Sequence, residues 1–148
     1  MERSDIRVGT GAQFRISLHA GPPGRAILMP TRSDIIRAMF AAYRNKNRKV
    51  VEDTLADGFR FTSPWDDAID KATYFERCWP VSERIESNEV ERIFMQGDEA
   101  FVTYRVRNGN EEFRNTEFFV FEGDRIKRID VYFGASYRDG VFVRQKSE

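Results

Sequence analysis

One cysteine, one histidine and no excess of either charge set the first limits on this chain of 148 residues, in which 24 basic residues balance 24 acidic ones. The lone Cys78 excludes an internal disulfide and points to a reducing, cytoplasmic setting. The lone His19 sits in a stretch without periodic pattern, so it supports no Ser-His-Asp triad, Cys-His pair or multi-histidine zinc centre. Balanced charge excludes the basic footprint of a nucleic-acid binder. No run of 18 apolar residues is present, so no transmembrane helix and no membrane partner is expected. Gly9-Thr10-Gly11-Ala12 lacks the last glycine and the preceding strand of a dinucleotide loop. No cofactor and no metal is therefore expected, and any chemistry must rest on carboxylates, Tyr, Arg or Lys. Aromatics are abundant: 13 Phe, 5 Tyr and 2 Trp make 14% of the chain. That is enough to line a cavity as well as to fill a core.

Residues 1–30 read as a flexible leader. They hold four of the ten glycines and three of the five prolines, and four arginines against Glu2 and Asp5, without the apolar segment of a signal peptide. Phe14, Ile16 and Leu18 alternate as in a short strand, and Met29 is placed as an alternative start, just ahead of a capped helix. The domain is expected over 31–138, followed by a tail over 139–148. Thr31–Ser33 supply N-cap residues, and Ile35, Ile36, Met39, Phe40 and Tyr43 recur at helical spacing. A second short helix is expected from Lys49 to Leu55, stopped by Asp57-Gly58. Phe59 and Phe61 then alternate as a strand that ends at Pro64. Asp70 can cap a third helix with Tyr74, Phe75, Cys78 and Trp79 on its apolar face, closed by Pro80. The second half reads as strands separated by turns at Gly97-Asp98, Asn108-Gly109 and Gly123-Asp124, spacing short enough to demand an antiparallel meander. Helices laid on one face of such a sheet make an α+β fold.

Asp57 through Asp70, Asn115-Thr116-Glu117-Phe118-Phe119, and the strand Ile126 to Gly134 resemble the nuclear transport factor 2-like superfamily, and within it bacterial SnoaL-like and ketosteroid-isomerase-like proteins. The likeness spans about residues 31–135. It implies a cone-shaped barrel, a strongly curved and mostly antiparallel sheet wrapped around N-terminal helices, with an apolar pocket at the open end. It also implies homodimers packed through the sheet. Ketosteroid isomerases use an Asp base before a Pro, a helix Tyr and a protonated Asp. The resemblance puts Ser63 at the first position, Met39 at the second and Glu117 at the third, so two of the three groups are replaced. Similarity to limonene epoxide hydrolase puts Val131 where one acid of its water-activating set would stand. Asp130 is one residue away, which in a strand is the opposite face.

Glu117 is the sharpest candidate, a carboxylate among Phe113, Phe118, Phe119 and Phe121. On a pocket-lining face burial would favour its neutral form and fit it for acid–base work. On the other reading it pairs with Arg105, Arg107 or Arg114 across strands. Tyr104, on the face of Val102 and Val106, is expected beside it. Met39, Phe61, Ser63, Trp65, Phe75, Trp79 and Phe119 are expected around a small lipophilic ligand. Tyr43 and Tyr132 read as structural, Cys78 as a small buried hydrophobe, and Asp66 and Asp67 as a solvated turn or as adjacent carboxylates that raise one pKa or bind a cation. Two functions remain open: a pocket protein that binds such a ligand and catalyses cofactor-free proton transfer of the isomerase, cyclase or dehydratase type, or a non-catalytic dimeric assembly module.

Overall fold

The computed structural model describes residues 28–144; the expected leader strand, the discarded glycine loop and His19 lie outside them. Helix α1 (Arg32–Arg44) starts at Thr31, whose side chain accepts from the Asp34 amide while Asp34 accepts from the Thr31 amide. This reciprocal capping satisfies two of the amides that a helix start leaves unpaired. Ile36, Met39 and Phe40 are buried along its inner face. Helix α2 (Arg48–Thr54) ends where β1 (Leu55–Ser63) begins. Asp57-Gly58, expected to stop a helix, thus lies within a strand. Strand β2 (Asp66–Asp70) forms a hairpin with β1, where a solvated turn was expected. Asp70 caps helix α3 (Lys71–Arg77) as read, accepting from the Thr73 amide at 2.9 Å. Pro80 does not end the helical run; it sits in the first turn of a 3₁₀ helix over Trp79–Arg84, where a missing N–H costs no hydrogen bond.

The meander follows: β3 (Ser87–Gln96), β4 (Glu99–Asn108), β5 (Glu111–Glu122) and β6 (Arg125–Arg138). Each hairpin closes over two residues, the first a glycine (Gly97, Gly109, Gly123) with φ near +60°, which a side chain would disfavour. The strand order is β2-β1-β6-β5-β4-β3, with β1 parallel to β6 and every other pair antiparallel. The sheet curves as in the expected cone but does not close into a barrel, since β2 and β3 remain its two ends. Residues 141–143, read as tail, add strand β7 (Val141–Val143) to β6.

The alternation read from β4 holds: Ala100, Val102, Tyr104 and Val106 are buried, and Phe101 on the other face is half-exposed. With Phe59, Phe119, Phe121, Ile126 and Ile129 they form a core beneath α1 and α2. Among the described residues no helix is long and apolar enough to cross a membrane.

Candidate functional site

Between α1 and the concave side of the sheet lies a cavity of about 640 Å³. That is room for a ligand of a few rings. Met39 and Tyr43 descend from α1; Phe61 and Ser63 come from β1; Tyr74 and Cys78 from α3 and its end; Tyr104 and Val106 from β4; Asn115 and Glu117 from β5; and Val131 and Phe133 from β6. The wall is predominantly apolar. Trp65 and Phe133, both exposed, stack edge to face at its open side with ring centres 5.0 Å apart.

Glu117 and Tyr104 meet because of register. Val102 stands opposite Glu117 and Tyr104 opposite Asn115, so Tyr104 and Glu117 are diagonal neighbours on one face, a spacing that a tyrosine can bridge. The Tyr104 hydroxyl donates to Glu117 Oε1 at 2.7 Å, and Asn115 Nδ2 donates to the Tyr104 oxygen at 3.3 Å. The arginine pairing considered from sequence does not form. Arg105 faces Glu89 and Glu112, Arg107 faces Glu112, and Arg114 faces Glu91. With no cation paired to it among the described residues, burial dominates and pushes the Glu117 carboxyl up to about 7, against the opposing hydrogen bond from Tyr104. A carboxyl poised there is populated in both forms at neutral pH.

Three tyrosines surround it. The hydroxyls of Tyr43 and Tyr74 are hydrogen-bonded to each other. Burial pushes both phenols, and that of Tyr104, above the ordinary value, and the charge of Glu117 acts in the same direction on all three. They stay neutral donors throughout the physiological range. In the Tyr43–Tyr74 pair one hydrogen joins the two oxygens, and the other is left to point to an acceptor in the cavity. Burial also pushes the Cys78 thiol up to about 11, which makes it a poor nucleophile.

Of the residues expected around a ligand, Met39, Phe61, Ser63 and Trp65 line the cavity. Phe75, Trp79 and Phe119 do not. Phe75 is buried on the far side of α3, beneath the Arg48 guanidinium. Trp79 packs behind Tyr43 with ring centres 4.9 Å apart, and Phe119 is fully buried core. Ser63 is committed to its turn: its hydroxyl donates to Asp66 Oδ2 and accepts from the Trp65 amide, both at 3.1 Å. Asp66, read as solvated, is instead nearly buried and lies 2.8 Å from Arg77 Nη2, without the alignment of a hydrogen bond. Val131 faces the cavity, while Asp130 points away and is held by Arg128 through contacts of 3.1 and 2.6 Å. The acid that epoxide hydrolysis would need at this point is therefore absent from the wall. Sequence reasoning missed Tyr74 and Asn115 and assigned Tyr43 to the core alone. Asn115 was within reach, because it shares strand parity with Glu117.

Residues 36–129 match the SnoaL-like domain family. No curated protein sequence matches the chain. Among solved structures, an NTF2-like protein of unknown function from Cytophaga hutchinsonii aligns with a TM-score of 0.61 at 17% identity, covering 73% of this chain and 94% of that one. A protein from Jannaschia sp. CCS1 named as a SnoaL-like polyketide cyclase aligns at 0.59 and 15% identity, with 75% and 90% covered. An LEH-like epoxide hydrolase from M. tuberculosis aligns at 0.54 and 18%, with 70% and 82% covered. At such identities these likenesses speak for the fold alone.

Proposed function

The chain belongs to the SnoaL-like domain family of the nuclear transport factor 2-like superfamily, and from that premise we propose that it binds a small lipophilic carbonyl compound in the cavity and moves a proton within it through Glu117. The observation that carries this reading is the Glu117 carboxyl, bonded to the Tyr104 hydroxyl, paired with no cation among the described residues and poised near neutrality. In the ionised form Glu117 takes a proton from the carbon next to the ligand carbonyl. The C–H electron pair passes into an enolate, whose oxygen accepts the free hydrogen of the Tyr43–Tyr74 pair. Glu117 then returns the proton to another carbon of the same ligand, so the net reaction is an isomerisation and consumes no cofactor. The same first step, followed by attack of the enolate carbon on a second carbonyl of the ligand, closes a ring; the proton goes to the new alkoxide. The Jannaschia protein's cyclase name is compatible with this chemistry. A single cysteine, with no disulfide possible within the chain, supports a reducing, cytoplasmic setting.

The test is a thermal-shift screen with ring ketones, steroids, polyketides and fatty acids, followed by proton NMR of the stabilising ketone in D₂O. Mass action raises the melting temperature of a protein that binds its ligand only when folded. The expected result is stabilisation by a ring ketone and loss of its α-hydrogen signal, both with the wild-type chain, and no loss with Glu117→Gln. Stabilisation without exchange would reduce the function to carriage.

A second reading, a dimeric binding module, is favoured by the outer face of the sheet. Phe94, Phe101 and Phe118 stand side by side in register across β3, β4 and β5, and Phe94, Phe101 and the nearby Tyr132 are 66%, 49% and 56% exposed. A contiguous apolar patch of this kind marks an interaction surface. With a second copy of the chain as occupant, wild-type protein sediments at twice the chain mass and Phe101→Glu at the chain mass. A wild-type monomer at tens of micromolar would remove the dimer.

A further inference from the structure

Resting on the proton-transfer reading, we infer that Asn115, oriented by the main-chain amide of Gly134, is a positioning residue that fixes Tyr104 as donor to Glu117 Oε1 and leaves Oε2 to exchange a proton with the ligand. The chain of contacts begins in the backbone. The pairing of β5 with β6 shifts register between Phe113 and Asn115, and Gly134 lies beside this irregularity. A Cβ at position 134 would collide with the Arg114 carbonyl, so only glycine lets β6 come this close. The Gly134 N–H reaches Asn115 Oδ1 at 3.4 Å. A main-chain N–H can only donate, which sets the amide: oxygen toward Gly134 and Nδ2 toward Tyr104.

Asn115 Nδ2 then donates to the Tyr104 oxygen at 3.3 Å. A phenol has one hydrogen. With its oxygen engaged as acceptor, that hydrogen goes to Glu117 Oε1 at 2.7 Å. Oε1 is therefore an acceptor in both protonation states of Glu117. A proton that Glu117 takes up resides on Oε2, which has no hydrogen-bond partner among the described residues and belongs to a side chain lining the cavity. Without Asn115, neutral Glu117 is free to turn its own hydrogen onto Tyr104, where the ligand cannot reach it.

The test is a double-mutant cycle read by carbon-13 NMR titration of the Glu117 carboxyl in the whole chain, with Asn115→Leu and Tyr104→Phe made singly and together. Asn115→Ser, too short to reach Tyr104, replaces the Leu variant if that one does not fold. Polarisation along a hydrogen-bond chain strengthens each bond by roughly 10–30%. Loss of the Asn115 donor should thus raise the Glu117 midpoint by a few tenths of a unit in the wild-type background and by nothing when Tyr104 is Phe. A shift of equal size in both backgrounds, or none in either, overturns the role assigned to Asn115. A wild-type midpoint in the ordinary carboxylate range defeats the proton-transfer reading instead, and the cycle still decides on Asn115.

Discussion

Replacing Glu117 by Gln is expected to stabilise the protein at pH 8 by about 3 kcal/mol while removing proton transfer. The folded chain holds the Glu117 proton up to about 7, whereas an unfolded glutamate releases it near the ordinary value of 4.5. Between these values the folded state binds more protons than the unfolded one, so stability falls as pH rises. The penalty is absent below about 4.5, grows through the window and is complete above about 7; a shift of this size corresponds to about 3 kcal/mol. Gln keeps the acceptor for Tyr104 and cannot ionise. Groups shared by the two proteins cancel in the comparison. Melting temperatures of wild type and variant should therefore nearly coincide at pH 4.5 and separate by roughly 10 °C at pH 8. Parallel curves across the range would mean that the carboxyl is solvated in the folded chain.

The second large effect belongs to Phe119→Ala, a stability loss of about 3–5 kcal/mol. Phe119 was expected at the ligand wall and is fully buried between Ala100 of β4 and Ile129 of β6 in register. Truncation removes buried apolar surface and leaves a hole that a curved, hydrogen-bonded sheet cannot collapse to fill. Trp65→Ala is the control. Trp65 is 78% exposed, so its loss should cost about 0.5 kcal/mol or less and act on ligand binding instead. Chemical denaturation of the three proteins separates these outcomes. A loss below about 1 kcal/mol for Phe119→Ala would return that ring to the cavity wall.

The difference between Phe119 and Glu117 marks what the sequence makes legible. Two residues apart on one strand, both lie on the same face, because side chains alternate with a period of two. Parity carries no information about depth. Along β5 the concave face runs from open cavity at Asn115 and Glu117 to solid core at Phe119 and Phe121, and that passage is set by where α1 and α2 lie across the sheet. The helical face of α3 posed the same difficulty. Tyr74 and Phe75 are adjacent and both buried, yet Tyr74 turns to the cavity and Phe75 to α2. The missed strand β2 has another cause. Asp66-Asp67-Ala68-Ile69-Asp70 has little intrinsic preference for extended structure, and it is a strand because β1 pairs with it. Capping, in contrast, is written locally, and Thr31 and Asp70 were both readable. So was the meander, whose three glycine turns each close a two-residue loop.

The most direct test is the carboxyl carbon of Glu117 itself, followed by carbon-13 NMR from pH 4 to 9, with Glu117→Gln to assign the signal. A midpoint near 7 is predicted. A midpoint at or below 4.5, the ordinary glutamate value, would contradict the claim that this acid is buried in the cavity wall and poised for proton transfer.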